Sequence, residues 1–219
     1  MIGRRRTLQQ IAAHHRTTKN KPRAGGKWPS VAEVYEPFVA PLRGSARSVL
    51  EIGIERGGSL KMWAAYFRRA QVWGVDRRDS YLEQARGRIN VLVGDQGDAE
   101  FRAEIARKGG PFDLVVDDGS HQFDHQRDTL LDLWPHVRPG GVYIVEDVHT
   151  SYRPAKYGGG LGVEGTFMEW AKGLVDDVHH KVHREEPTLS DLASMHVLFQ
   201  SVVLCKWEVP FENRPAPYA

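Results

Sequence analysis

Two acidic segments of the sequence carry residue types that could do chemistry. One is Asp117-Asp118-Gly119-Ser120-His121, which sets two carboxylates, a hydroxyl and an imidazole close together. The other is Glu146-Asp147. Each follows a short apolar run, Leu114-Val115-Val116 and Val142-Tyr143-Ile144-Val145. Such runs read as strands buried on both faces, the pattern of a parallel sheet covered by helices. Ligands bind beyond the carboxyl ends of strands in open α/β sheets, so we read the two strand ends as one site. Plainer readings exist for each residue alone. Asp117 would cap its strand, Asp118 and Ser120 would cap the next helix, and Glu146-Asp147 would be a solvated turn.

A third segment, Val49-Leu50-Glu51-Ile52-Gly53, runs on to Gly57-Gly58-Ser59. A dinucleotide fold needs a glycine two places before Gly53, so that pyrophosphate can approach the backbone. Glu51 stands there, and a carboxylate repels phosphate. Glu-x-Gly-x-x-x-Gly-Gly suits a cationic ligand without phosphate, and S-adenosylmethionine is one. Its sulfonium and ammonium are positive and its ribose offers a diol. Asp76 ends the next strand, where it could accept hydrogen bonds from that diol. Asp95-Gln96 closes the strand after it. The plainer reading is that Gly53 and Gly57 make a tight turn and Asp76 caps a helix.

The elements that must position these residues alternate regularly. The strands Ser48–Ile52, Gln71–Val75, Asn90–Val93, Leu114–Val116 and Val142–Val145 are separated by helical patterns. The first helix is marked by Leu60, Trp63, Ala64 and Phe67, a polar one spans Ser80–Arg88, and others cover Ala99–Lys108 and Leu130–Val137. This rhythm predicts a doubly wound, mostly parallel sheet with right-handed crossovers. Two apolar runs around Gln200-Ser201 predict a C-terminal antiparallel hairpin. Before the core, Thr7–His15 reads as a helix with Leu8, Ile11 and Ala12 inward. Ser30-Val31-Ala32-Glu33 has the form of a capping box. Residues 149–165 are glycine-rich and read as an irregular lid. Phe167, Trp170, Ala171, Leu174 and Val178 form one more helical face. Trp28 is a ring that could stack on a sugar, and the tail from Pro210 reads as frayed.

The 219 residues suffice for one α/β core. Hydrophobic content of 41%, charged content of 26% and net charge +2 are those of an ordinary globular protein. The single cysteine, Cys205, excludes an internal disulfide and a Cys-rich zinc site, and fits a reducing, cytoplasmic setting. No apolar run approaches the ~20 residues of a membrane helix, and the start lacks the apolar segment of a signal peptide. Arg4–Lys27 holds eight Lys or Arg residues, and no acid precedes Glu33. We expect one domain over 1–219, with a basic helical leader or cap over 1–47 and a Rossmann-like core over 48–209.

Taken together, these stretches resemble class I S-adenosylmethionine-dependent methyltransferases. More narrowly, they are similar to the metal-dependent sugar O-methyltransferases of actinobacterial macrolide and polysaccharide pathways, the mycinamicin and macrocin group. The resemblance rests on Val49–Gly53, Gly74-Val75-Asp76, Gly94-Asp95-Gln96, Asp117–His121, Glu146-Asp147 with His149–Tyr152, and Ser194-Met195-His196 through Lys206. One departure lies in the leader. The family often has Thr-Asp-Lys there, and this chain has Thr17-Thr18-Lys19.

The resemblance implies a Rossmann-like α/β sheet of seven strands and methyl transfer to a sugar hydroxyl. An alcohol is barely ionised at neutral pH, so such transfer gains from a metal and a base. It implies Asp118, Glu146 and Asp147 as Mg²⁺ ligands and His121 as general base. Glu51, Gly53, Gly57, Ser59, Asp76, Asp95, Gln96 and Asp117 become the donor-side residues. His149 and Tyr152 are candidate acceptor contacts, with loop packing as their alternative. The acceptor would be a glycosylated natural product or an oligosaccharide, with neither nucleic acid nor membrane as partner, and a homo-oligomer is expected by analogy. The rivals are a nicotinamide-dependent oxidoreductase, a nucleic-acid module using the basic leader, and a hydroxylase needing a redox metal held by histidines. His179, His180 and His183 have metal-like spacing but read as a solvated face.

Overall fold

The computed structural model describes residues 5–23, 26, 28–183 and 185–209, without the side chains at 23, 28 and 181. Trp28's ring and the tail from Pro210 therefore lie outside the described residues.

One sheet carries strands β1 (Ser48–Ile52), β2 (Gln71–Asp76), β3 (Ile89–Val93), β4 (Phe112–Asp117), β5 (Val137–Val145), β6 (Leu192–Val197) and β7 (Val202–Lys206). Their order is 3-2-1-4-5-7-6. The first five strands are parallel, and β7 runs antiparallel to both β5 and β6. The predicted hairpin is thus present, inserted so that β7 lies between β5 and β6.

Successive strand residues point to opposite layers, because the side-chain period of a strand is two. Val49, Val72, Leu114, Val116, Ile144 and Val203 face one layer. Leu50, Val75, Val115, Tyr143, Val145 and Leu204 face the other. Helices α1 (Leu8–His14), α2 (Val31–Val39) and α3 (Gly58–Tyr66) cover the first layer with Leu8, Ile11, Tyr35, Leu60 and Trp63. Helices α4 (Ala99–Gly109) and α5 (Phe123–Leu133) cover the second with Phe101, Ile105, Leu130 and Leu133. The leader is part of the core, since Leu8, Ile11 and Ala12 are all buried. Burying a side chain of the size of Leu8 or Ile11 contributes roughly 1.5–3 kcal/mol.

Local chemistry sets the helix ends. Thr7 with Gln10 and Ser30 with Glu33 both form reciprocal capping boxes. The Arg88 guanidinium donates to the carbonyl of Ala64 in the last turn of α3 and to those of Phe67 and Ala70 just beyond it.

Several expectations change. The helix expected over Leu130–Val137 ends at Leu133, and Val137 already belongs to β5. Residues 149–165, expected to be irregular, include the 3-10 segment Val148–Tyr152 and the helical turn Pro154–Tyr157. The polar helix expected over Ser80–Arg88 is a 3-10 segment, Asp79–Gln84, that buries none of its residues. With no apolar face to hold a longer helix, the chain turns through Gly87 (φ +62°) into β3. The helical face from Phe167 to Val178 is split into Phe167–Ala171 and Leu174–Asp177. Gly173 stands at the break, and glycine is a poor helix former.

Candidate active site

The strand ends bring the acidic residues into line. Asp118 N–H donates to the Ile52 carbonyl (2.9 Å), and Glu146 N–H to the Asp117 carbonyl (2.8 Å). The ends of β1, β4 and β5 are thereby stitched side by side. Just beyond β4 and β5, two non-glycine residues adopt the left-handed conformation, His121 (φ 59°) and Asp147 (φ 55°). Such residues are uncommon and gather at functional sites.

Their side chains meet. His121 Nε2 lies 3.7 Å from Asp147 Oδ2. One ligand atom each from Asp118, His121 and Asp147 lies within 4.8 Å of the other two. Among the described residues no other group of three His, Cys, Asp or Glu side chains does this. The buried Asp147 Oδ1 makes no hydrogen bond, and His149 Nδ1 stands 3.7 Å from it. Carboxylate oxygens with room for another partner fit a hard divalent cation, which prefers oxygen ligands.

The trio opens into a cavity of about 560 Å³, also lined by Gly53, Asp76, Asp95 and Gln96. Asp76 ends β2, and the 3-10 segment that follows carries no side-chain cap. Asp76 lines the cavity, while its Oδ2 accepts from Ile54 N–H (3.0 Å) and its Oδ1 from Arg78 N–H (3.1 Å). Each oxygen keeps a second lone pair for a ligand hydroxyl. Gly53, at φ +90°, lets β1 pass close to β4: a Cβ there would lie 2.1 Å from the Asp118 carbonyl oxygen.

Glu51, Gly57, Ser59, Asp117, Glu146, His149 and Tyr152 do not line that cavity. Gly57 packs under the Gln84 side chain, and Ser59 is buried in the first turn of α3. Tyr152 is 43% exposed. Asp117 is buried behind the loop. Gln96 Nε2 donates to its Oδ1 (3.1 Å) and to Thr129 Oγ1 (3.2 Å), while Gln96 Oε1 accepts from Ser120 N–H (2.7 Å). Burial pushes the Asp117 carboxyl up to about 7, against the opposing hydrogen bonds from Gln96 and Gly119. Asp117 and Gln96 thus hold the 118–121 loop in place from behind.

Lys19 escaped the sequence reading. Its Nζ, delivered by the leader, lies 2.5 Å from Glu146 Oε1, 3.0 Å from Asp118 Oδ2 and 3.3 Å from Glu51 Oε1. Lys19 is 2% exposed. Burial draws its pKa down, but Asp118, Glu146 and Glu51 together hold it well above the ordinary lysine value. Burial and Asp118 push the Glu146 carboxyl upward. Glu146 therefore stands outside the Asp118–His121–Asp147 trio, with one oxygen on the ammonium. One physical signal pointed to Lys19: three carboxylates at adjacent strand ends call for a counter-charge, and the leader is basic without an acid. His180 Nδ1 and His183 Nε2 lie on the Asp177 and Asp176 carbonyls, as local helix-end contacts.

Residues 50–148 match the profile of a methyltransferase domain. The chain is 41% identical over 167 residues to the mycinamicin VI 2''-O-methyltransferase of Micromonospora griseorubida, across 71% of this chain and 41% of that protein. It is 39% identical over 176 residues to the demethylmacrocin O-methyltransferase of Streptomyces fradiae, across 75% of this chain and 44% of that protein. The chain thus spans less than half the length of these curated relatives. Its fold superimposes on the MycE methyltransferase of the mycinamycin biosynthetic pathway, solved with Mg, SAH and mycinamycin VI, with a TM-score of 0.81 and 34% identity. That match covers 93% of this chain and 54% of the other.

Proposed function

The chain belongs to the class I methyltransferase fold and carries a methyltransferase domain like that of antibiotic-pathway sugar O-methyltransferases, and from that premise we propose that it moves a methyl group from S-adenosylmethionine to a sugar hydroxyl with Mg²⁺ bound. The observation that carries this is the Asp118–His121–Asp147 trio at the mouth of a cavity bounded by the Gly53 turn and Asp76.

In this reading Gly53, Asp76, Asp95 and Gln96 receive the donor, with Glu51, Gly57, Ser59 and Asp117 shaping the wall behind it. Asp118 and Asp147 hold the metal, and Glu146 offers the oxygen that Lys19 leaves over. When bound, Mg²⁺ orients the acceptor hydroxyl and lowers its pKa. His121 takes the hydroxyl proton on Nε2, and Asp147 3.7 Å away orients the imidazole and stabilises its cation. The acceptor oxygen attacks the methyl carbon in line. The carbon–sulfur bond breaks and its electron pair returns to sulfur, turning the sulfonium into a thioether. His149 and Tyr152 lie on the segment after the Glu-Asp pair, where an acceptor sugar would arrive. The acceptor class is a glycoside, and mannosides, rhamnosides and macrolide glycosides are the ones to try. We place the enzyme in the cytoplasm as a homo-oligomer in its working form, which light scattering would test.

The test is methyl transfer to that panel with and without EDTA, for wild type and His121→Ala. Wild type should transfer methyl and stop in EDTA. The variant should lose about 10²–10⁴-fold in kcat, the usual contribution of general-base catalysis, with donor affinity nearly kept. Full turnover in the variant would remove the base assignment, and transfer indifferent to EDTA would remove the metal.

A further inference from the structure

The least expected group near the trio is Lys19. It sits in the 3-10 turn Thr18–Asn20, fixed by Thr17 Oγ1, which accepts its N–H at 3.3 Å. Its ammonium meets one oxygen from each of three acidic residues on three strand ends: Glu51 in β1, Asp118 after β4 and Glu146 after β5. Among the described residues these carboxylates have no other ion-pair partner. Two buried carboxylates and the partly exposed Asp118 repel one another, and one buried cation relieves all three. Without it the strand ends would be held together against that repulsion.

The same ammonium has a second consequence. A hard cation on Asp118 would sit about 2.1 Å from its oxygens, and Lys19 is already 3.0 Å from one of them. Two cations then share one partly buried carboxylate. Glu146 presents the same competition more sharply, since its Oε1 is 2.5 Å from the ammonium. We propose that Lys19 is a resident counter-cation that competes with the divalent ion for Asp118 and Glu146, so that docking of the leader sets how tightly the ion binds. Lys19 is a positioning residue in this scheme: it touches the ligands and leaves the reacting atoms to others. The inference rests on the metal reading given above and adds to it a control of affinity by a residue more than 90 positions away in sequence from both acids.

Linkage makes the effect reciprocal. If Lys19 opposes the ion, the ion loosens the leader by the same factor. That gives two readouts, neither of which needs substrate or turnover. The first is Mn²⁺ affinity of the full chain, by calorimetry and by the spin signal of the free ion, for wild type, Lys19→Met and Lys19→Arg. Lys19→Met should bind at least about tenfold more tightly, within the usual span of such couplings, and Lys19→Arg should stay near wild type because the charge is retained. The second is amide hydrogen exchange at residues 17–21 of wild type, which should quicken when Mn²⁺ is added.

Wild type that binds Mn²⁺ with Lys19→Met no tighter would overturn the counter-cation role and leave the metal reading standing. No binding by either protein would overturn the metal reading and this inference with it. If Lys19→Met fails to fold, wild-type exchange decides, and unchanged or slower exchange at residues 17–21 overturns the proposal.

Discussion

At the residue scale, the site is built from side chains that the fold holds in costly states. His121 and Asp147 both take left-handed backbone conformations, each costing of order 1–3 kcal/mol that the surrounding packing must offset. Asp117 is the clearest electrostatic case. Its folded pKa of about 7 lies above the ordinary aspartate value of 3.8. A carboxyl raised in this way stabilises the fold fully below about pH 4, where both states are protonated, and that stabilisation is lost as pH rises towards 7. The metal-free protein should therefore weaken between pH 5 and 7.5. Asp117→Asn keeps an oxygen for the Gln96 amide and cannot ionise. It should remove on the order of 2 kcal/mol of that pH dependence, as an upper bound from 1.36 kcal/mol per pKa unit. Urea unfolding of both proteins at the two pH values measures this, and parallel pH slopes would show that Asp117 is not the group responsible.

At the element scale, the strands were legible and some of the helices were not, for physical reasons. Strand β4 reads from Leu114–Val116 because both of its faces are buried, so no polar residue interrupts the run. The Asp79–Gln84 segment stays short because Tyr81 only partly packs against the core and none of its residues is buried. The Gly53 turn was legible as a motif, but its reason was not. The structure supplies that reason: backbone of β1 meets backbone of β4, and no rotamer change can relieve a Cβ 2.1 Å from the Asp118 carbonyl oxygen. Gly57 differs, since its added Cβ would meet the movable Gln84 side chain at 2.6 Å, with a similar positive φ of +70°. Gly53→Ala should accordingly cost several-fold more stability than Gly57→Ala, about 3 kcal/mol or more against about 1 kcal/mol. It should also weaken donor binding, because the turn and the Asp118 loop would move apart. Equal losses in chemical denaturation would mean that both glycines serve only their backbone conformation.

At the scale of the whole molecule, the leader joins the acidic strand ends of the sheet to the helices of one layer. A single sequence shows contacts between neighbours readily and contacts across the chain poorly, and Lys19 meets Glu146 across 127 positions. The clamp that holds the leader spans shorter separations, 28 and 30 positions. The Glu36 carboxylate in α2 accepts from Leu8 N–H at the start of α1 and, at 2.9 Å, from the Tyr66 hydroxyl at the end of α3. A carboxylate at a helix start also satisfies open N–H groups and the positive end of the helix dipole. Glu36→Ala removes both bonds and leaves both donors without an acceptor, a loss of about 1–3 kcal/mol. The sheet and its acidic strand ends keep all their own bonds in this variant, so the leader should loosen first. Limited proteolysis should cut residues 15–30 faster, while α4 and α5 stay protected. Looser docking withdraws the Lys19 ammonium from Asp118 and Glu146, so Mn²⁺ should bind the variant more tightly, although Glu36 contacts none of the ligands. Faster cleavage with unchanged Mn²⁺ affinity would show that the leader's attachment and the metal site are independent, and would separate the architecture of the cap from the control we assign to it.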